Sequence, residues 1–205
     1  IGAALCNAED DIILVSKLGM SLKFQANDEQ LRPMGRQTAG VQGMKFREGD
    51  ELLDMDVVWG DSDKDLFVVT NEGFAKRTAI SEYRLQGRNG FGVKAVQLAE
   101  GRGSLVGAVI VEEDDQIMAI MKSGKVIRSN VDEVKRTGRT TQGVTFAKPD
   151  KNDEIISIAR NEEKDDDESA ENATVNEDTA QSSESAVEAP AETNAESGDG
   201  ENVEA

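Results

Sequence analysis

The sequence contains no histidine and one cysteine, Cys6, among its 205 residues. Without histidine it has no Ser-His-Asp triad, no Cys-His pair and no histidine-containing metal site. A lone cysteine forms no internal disulfide, which predicts a reducing, cytoplasmic setting. No apolar run approaches the roughly 20 residues of a membrane helix, and no signal peptide is visible. These absences predict no catalytic residue, no metal and no membrane partner for this chain.

Positive charge is also scarce, with 23 basic against 41 acidic side chains and a net charge of -18. That total argues against nucleic acid, because binding DNA requires cations that replace phosphate counterions. However, residues 161–205 carry 16 acidic side chains, one basic side chain and no aromatic residue, a net charge of -15. Such a segment buries too little apolar surface to fold. We therefore predict one domain at 1–160, with a net charge of -3, and a disordered acidic tail at 161–205.

A seven-residue motif, G-R-x-x-x-G-V, occurs three times within the predicted domain. It begins at Gly35, Gly87 and Gly138, and its arginines are 52 and then 51 residues apart. Each copy follows an apolar strand, a glycine turn and a strand carrying basic residues, and precedes another apolar stretch. The motif glycines are predicted to make tight turns or to lie close to other backbone. Units of this length and composition predict an all-β propeller with about three blades.

The opening residues belong to the same series. Residues 1–6 align with residues 106–111 at an offset of about two repeats. We therefore expect the chain to begin inside the last strand of an earlier unit.

Basic side chains recur with the motif. Arg36, Arg88 and Arg139 occupy equivalent places, so a propeller would carry them as a row of cations. Two interpretations stay open: each arginine hydrogen-bonds carbonyls of its own turn, or the row contacts phosphates. Acidic residues gather elsewhere, and segregated charge can give a near-neutral domain one basic face. The predicted DNA-binding residues are Lys23, Arg32, Arg36, Lys45, Lys76, Arg77, Arg84, Arg88, Lys94, Lys122, Lys125, Arg128, Lys135, Arg136 and Arg139.

Several segments resemble the C-terminal region of bacterial DNA gyrase A, with the corresponding protein of topoisomerase IV as a close paralogue. The resemblance covers residues 1–160 and is carried by residues 31–36, 45–51, 55–58, 67–73 and 121–125. It implies a β-pinwheel, a propeller variant in which neighbouring blades exchange strands and DNA bends around a basic rim. The basic glycine-rich heptapeptide that marks gyrase is absent from this sequence. The paralogue and a propeller that binds protein partners therefore remain alternatives.

The resemblance also implies partners and a location. These are double-stranded DNA, the rest of gyrase A, and gyrase B in a heterotetramer in the bacterial cytoplasm, at the nucleoid. ATP and Mg²⁺ serve other parts of that holoenzyme, so no cofactor is expected in this chain. The acidic tail suggests a further hypothesis, in which it competes with DNA for the rim. The alternative is a tail that only increases solubility.

Overall fold

The computed structural model describes residues 2–59 and 63–161, and nearly all of its regular structure is β. Three antiparallel sheets contain the strands in the orders β3-β1-β2-β6, β10-β5-β4-β7 and β11-β8-β9. The strands are β1 (Asp11–Ser16), β2 (Met20–Gln25), β3 (Leu52–Val58), β4 (Asp65–Thr70), β5 (Phe74–Ala79), β6 (Val93–Lys94), β7 (Leu105–Val111), β8 (Gln116–Met121), β9 (Val126–Asn130), β10 (Val144–Thr145) and β11 (Ile155–Asn161). A four-residue helix, α1 (Asp28–Leu31), and two 3₁₀ turns, Ile80–Glu82 and Val131–Glu133, follow the second strand of each repeat. The predicted all-β class is confirmed.

A tight hairpin begins each sheet. Its turn ends on a glycine, Gly19, Gly73 or Gly124, with φ between +81° and +87°. A side chain rarely adopts that conformation, whereas glycine does so without penalty. The spacing of strand, glycine and second strand read from the sequence therefore corresponds to three real hairpins.

Strand exchange joins neighbouring sheets. Strand β6 lies in the second repeat, but it pairs with β2 of the first sheet, where Val93 is opposite Ser21. Strand β10 of the third repeat pairs in the same way with β5, where Val144 is opposite Ala75. Each exchanged strand contains the final valine of the repeated motif. The pinwheel connection implied by the resemblance is thus present at both junctions.

The sheets pack face to face through two apolar cores. The first core lies between sheets one and two and includes Ile13, Leu66 and Tyr83, and the second lies between sheets two and three. Tyr83 is 2% exposed, as expected for a position that is Leu31 and Val134 in the other repeats. Strand β7 lies against both β3 and β11, so these innermost strands form one side of the domain. The exchanged strands lie at the opposite edge.

The two ends of the chain differ from the repeats between them. Residues 2–6 form no strand, and Leu5 is 92% exposed. Strand β7, which they resemble, is paired with β4; no described strand offers residues 2–6 such a partner. The predicted acidic tail at 161–205 lies outside the described residues, except for Asn161 at the end of β11.

Candidate nucleic-acid interface

The repeated motif forms a segment that crosses from one repeat to the preceding sheet. We call residues 35–42, 87–94 and 138–145 the straps of repeats one, two and three. The second glycine of each motif has positive φ, for example +72° at Gly92 and +80° at Gly143. These two glycines also lie against the carbonyls of Ser21 and Ala75. Gly35 and Gly138 begin hydrogen-bonded turns. The first glycine of each motif has neither positive φ nor close backbone contact, so the prediction that these constraints require glycine is wrong for Gly35, Gly87 and Gly138.

The motif arginines hydrogen-bond the preceding strap. Arg88 Nη1 donates to Gln42 O at 2.9 Å, and Arg139 Nη1 donates to Lys94 O at 3.2 Å. Gln42 and Lys94 are equivalent residues, each one position after the motif valine. The interaction therefore recurs at both junctions. It differs from the interpretation that each arginine hydrogen-bonds carbonyls of its own turn, since each side chain donates to the strap of the preceding repeat.

The backbone of each motif arginine is held as well. Arg88 N donates to Gln30 Oε1 at 3.0 Å, and Arg139 N donates to Glu82 Oε2 at 3.1 Å. Gln30 and Glu82 each precede the apolar slot of the preceding repeat. Arg36, whose repeat follows no other in the described residues, is exposed and makes no such bond with them.

Lys76 and Arg77, both predicted to face DNA, are buried at 1% and 5% exposure. Lys76 Nζ donates to Ala95 O and to Arg139 O, each at 2.5 Å. Arg77 pairs with Asp65 at 3.3 Å and with Glu113 at 3.2 Å. Neither cation is available to a phosphate on the surface. We therefore remove both from the predicted interface, because the sequence-based assignment placed core positions of β5 on the rim.

Burial lowers the pKa of Lys76 to about 8, with Glu82 opposing the shift and Arg139 adding to it. Repeats one and three have Leu22 and Ile127 in this slot. A lysine there is protonated in the unfolded chain up to its ordinary pKa near 10.4. Between pH 8 and that value the unfolded chain therefore binds one proton more, so stability from this group rises with pH.

A Lys76→Leu variant should lack that rise. Wild-type stability relative to the variant should increase by about 1–2 kcal/mol from pH 7 to pH 9.5, given 1.36 kcal/mol per pKa unit. Urea denaturation at intervals of half a pH unit measures the difference. Leu22→Met, at the equivalent uncharged slot, should differ from wild type by a constant amount. A flat Lys76→Leu difference would show that the buried amine does not titrate in this window.

Other predicted cations have acidic or amide partners. Arg136 pairs with Asp65 at 2.9 Å and with Asp63 at 3.0 Å. The remaining pairs are Lys23 with Asp11, Lys122 with Glu154, and Lys125 with Asp150. Arg128 Nε donates to Gln116 Oε1 and Lys94 Nζ donates to Gln97 Oε1. All but Lys23 have exposed side chains, yet their partners compete with a phosphate.

Five predicted cations have exposed side chains that form no hydrogen bond or ion pair with any residue that the structure describes. They are Arg32, Arg36, Lys45, Arg84 and Lys135. A DNA phosphate could approach them without breaking an existing contact. Within the described ranges, no group of three or more acidic or cysteine side chains could hold a metal ion. No described helix is long and apolar enough to cross a membrane.

Comparison with known proteins agrees with this architecture. The family model described as "DNA gyrase C-terminal domain, beta-propeller" matches residues 10–58, 64–112 and 115–162. The DNA gyrase A of Streptomyces coelicolor is 55% identical over 163 residues, covering 80% of this chain and 19% of the relative. The DNA gyrase A of Mycolicibacterium smegmatis is 50% identical over 185 residues, covering 90% and 22%. The chain thus spans about a fifth of the length of these relatives.

Solved structures give the same result. A DNA gyrase A C-terminal domain superposes with a TM-score of 0.68 at 29% identity, covering 76% of this chain and 52% of that one. A topoisomerase IV C-terminal domain superposes with a TM-score of 0.70, but at 22% identity that likeness concerns the fold alone. The relatives at about half identity are DNA gyrase A proteins. The topoisomerase IV alternative is therefore not favoured.

Three repeated sheets joined by exchanged strands define a β-propeller of the pinwheel kind. The chain belongs to the DNA gyrase C-terminal beta-propeller family.

Proposed function

We propose that this chain binds duplex DNA along the edge formed by its straps and bends it around the domain. The observation that carries the proposal is a set of exposed cations whose side chains have no partner among the described residues, and which lie in or next to the straps of a gyrase-family propeller. Binding of this kind needs phosphate contacts but no contacts to base edges, so it is indifferent to sequence. The net charge of -18 does not oppose it, because residues 161–205 carry -15 of that charge.

In the whole protein, the bent DNA would be passed to the rest of gyrase A and to gyrase B. ATP and Mg²⁺ would be used by those other parts to introduce negative supercoils, in the bacterial cytoplasm at the nucleoid. The relatives named DNA gyrase A support this assignment, since they match over most of this chain. The chain itself supplies no catalytic group to that reaction. Its contribution is the path of the DNA.

Binding to a duplex of arbitrary sequence tests the proposal. Fluorescence anisotropy of the full chain at 50–200 mM salt should give log affinity falling linearly with log salt, with a slope of about -0.9 per phosphate contact. A second duplex of unrelated sequence should give the same line. A relaxed plasmid closed in the presence of the chain should acquire a changed linking number. A propeller that binds only protein partners would leave both duplexes unbound at the lowest salt concentration.

A further inference from the structure

A second row of cations runs beside the motif arginines. Arg32, Arg84 and Lys135 each lie four residues before a motif arginine. Each directly follows the apolar slot at the end of α1 or of a 3₁₀ turn. The slot residues Tyr83 and Val134 have nearly the same backbone angles, with φ of -93° and -98° and ψ of 101° and 106°. The chain therefore leaves the two 3₁₀ turns along the same course.

The position after this row is fixed to the preceding sheet. Leu85 forms a parallel bridge with Lys23, and Arg136 forms one with Arg77. Hydrogen bonds follow at the next residue, from Gln86 N to Lys23 O and from Thr137 N to Arg77 O, each at 2.8 Å. The backbone beside Arg84 and Lys135 is thus hydrogen-bonded to the preceding sheet. The side chains of Arg32, Arg84 and Lys135 are exposed and form no hydrogen bond or ion pair with the described part of the chain.

The motif arginines differ in both respects. Arg88 and Arg139 are half-buried, and each guanidinium donates to a carbonyl of the preceding strap. Moving either side chain outward to a phosphate would break a hydrogen bond that joins two repeats. The two rows therefore differ in what a DNA contact would cost. Contacts by Arg32, Arg84 and Lys135 displace only water.

We infer that Arg32, Arg84 and Lys135 are the repeated phosphate contacts, and that Arg88 and Arg139 clasp neighbouring repeats together. This inference rests on the proposed function, because it assigns the residues of the same DNA-binding edge. One cation per repeat would meet the duplex at regular intervals as it bends. The partner is the sugar-phosphate backbone of double-stranded DNA rather than its bases.

Two sets of variants of the full chain separate these roles. Arg32→Gln, Arg84→Gln and Lys135→Gln together should flatten the salt slope by about 2.7, which is 0.9 for each lost contact. The thermal midpoint should stay within about 2 °C, because exposed side chains without partners contribute little to stability. Arg88→Met with Arg139→Met should instead lower the midpoint by roughly 4–8 °C, through two lost hydrogen bonds. Its salt slope should change by less than about 0.5, whereas two lost phosphate contacts would change it by about 1.8.

A control removes the same charge elsewhere. Lys17 and Lys64 are paired with glutamates at 2.5 Å and 3.2 Å, and Arg160 is paired with Asp115 at 3.8 Å. Replacing all three with glutamine lowers the net charge by the same amount as the row variant. If the row acts by contact, this control should keep most of the wild-type slope. If net charge alone matters, the two triple variants should flatten it equally.

The outcomes are distinct. Equal slopes for the row variant and wild type would overturn the contact assignment while leaving DNA binding intact. A large slope change in the arginine pair with an unchanged thermal midpoint would reverse the two roles. Absence of wild-type binding to the duplex at 50 mM salt would instead contradict the proposed function itself.

Discussion

Replacing Asp65 with asparagine should lower the free energy of unfolding by about 3–5 kcal/mol, the range for breaking one side of a buried ion pair. Asp65 is 1% exposed and lies between two arginines, with Arg77 Nε 3.3 Å and Arg136 Nε 2.9 Å from its carboxylate. Arg77 is itself buried, and its Nη1 has no hydrogen-bond partner among the described residues. Among the described residues, the amide would leave that guanidinium only the exposed carboxylate of Glu113, at 3.2 Å, to compensate its burial.

The pair as a whole need not be strongly stabilising. Burial raises the pKa of the Asp65 carboxyl, and the hydrogen bond and charge of Arg136 and the charge of Arg77 only partly oppose it. The desolvation cost of burying the charges therefore offsets much of the electrostatic attraction between them. Combining Asp65→Asn with Arg77→Met should accordingly recover more than half of the stability lost by Asp65→Asn alone.

Asp11 provides the matched control. It occupies the equivalent position in repeat one, pairs with Lys23 at 3.4 Å, and has a 22% exposed side chain. Asp11→Asn should cost no more than about 1 kcal/mol, as partly exposed pairs do. Guanidinium denaturation of the three variants measures the differences. Similar losses at Asp11 and Asp65 would show that burial of the second pair is not what makes it costly.

The fold was predictable from the sequence because each repeat carries its own local signals. In each repeat an apolar run, a glycine and a second strand follow one another at nearly constant spacing. This local pattern is enough to specify a hairpin, and all three hairpins are present. The exchange of strands is different. It pairs Val93 with Ser21, 72 residues earlier, and nothing in the local pattern of Val93 selects that partner. Only the resemblance to a known family implied it.

The candidate interface was less predictable, and two errors have a common physical cause. Their charge predicts that Lys76 and Arg77 lie at the surface, but both positions of β5 are buried. Alignment of the repeats places Lys76 with Leu22 and Ile127, which shows that this position is apolar in the other two repeats. The row of Arg32, Arg84 and Lys135 was also visible as a period. The structure adds that these side chains have no partner among the described residues, whereas Arg88 and Arg139 each hydrogen-bond the preceding strap.

Charge is used differently at the two junctions between repeats. At the edge of the first junction, Gln30 accepts the bond from Arg88 N and Leu22 fills the slot. At the second junction, Glu82 and Lys76 take those two positions, and both contact Arg139. These two positions are therefore occupied by neutral residues at the first junction and by an acid and a base at the second. We expect high salt to loosen the second junction first.

Replacing Gly92 with alanine should lower stability by about 2–4 kcal/mol, combining a strained backbone with a steric clash. Gly92 has φ +72°, and a β-carbon on it would lie 2.1 Å from Ser21 O. That carbonyl belongs to β2, on which strand β6 is paired, so the strap would have to move away from the sheet. The move would also displace Lys94 O, the acceptor of Arg139. A local substitution should therefore weaken both junctions.

Two other glycines of the same motif separate the contribution of the strained backbone from that of the steric clash. Gly40 has φ +78° but nothing within 4 Å of its β-carbon position, so Gly40→Ala should cost about 1–2 kcal/mol from the backbone alone. Gly87 has neither constraint, and Gly87→Ala should be nearly neutral. Urea denaturation of the three variants should rank them Gly92, Gly40 and Gly87 in decreasing loss. Equal losses at Gly92 and Gly40 would mean that the strap yields to the added methyl group, and that contact with Ser21 does not hold the exchanged strand in place.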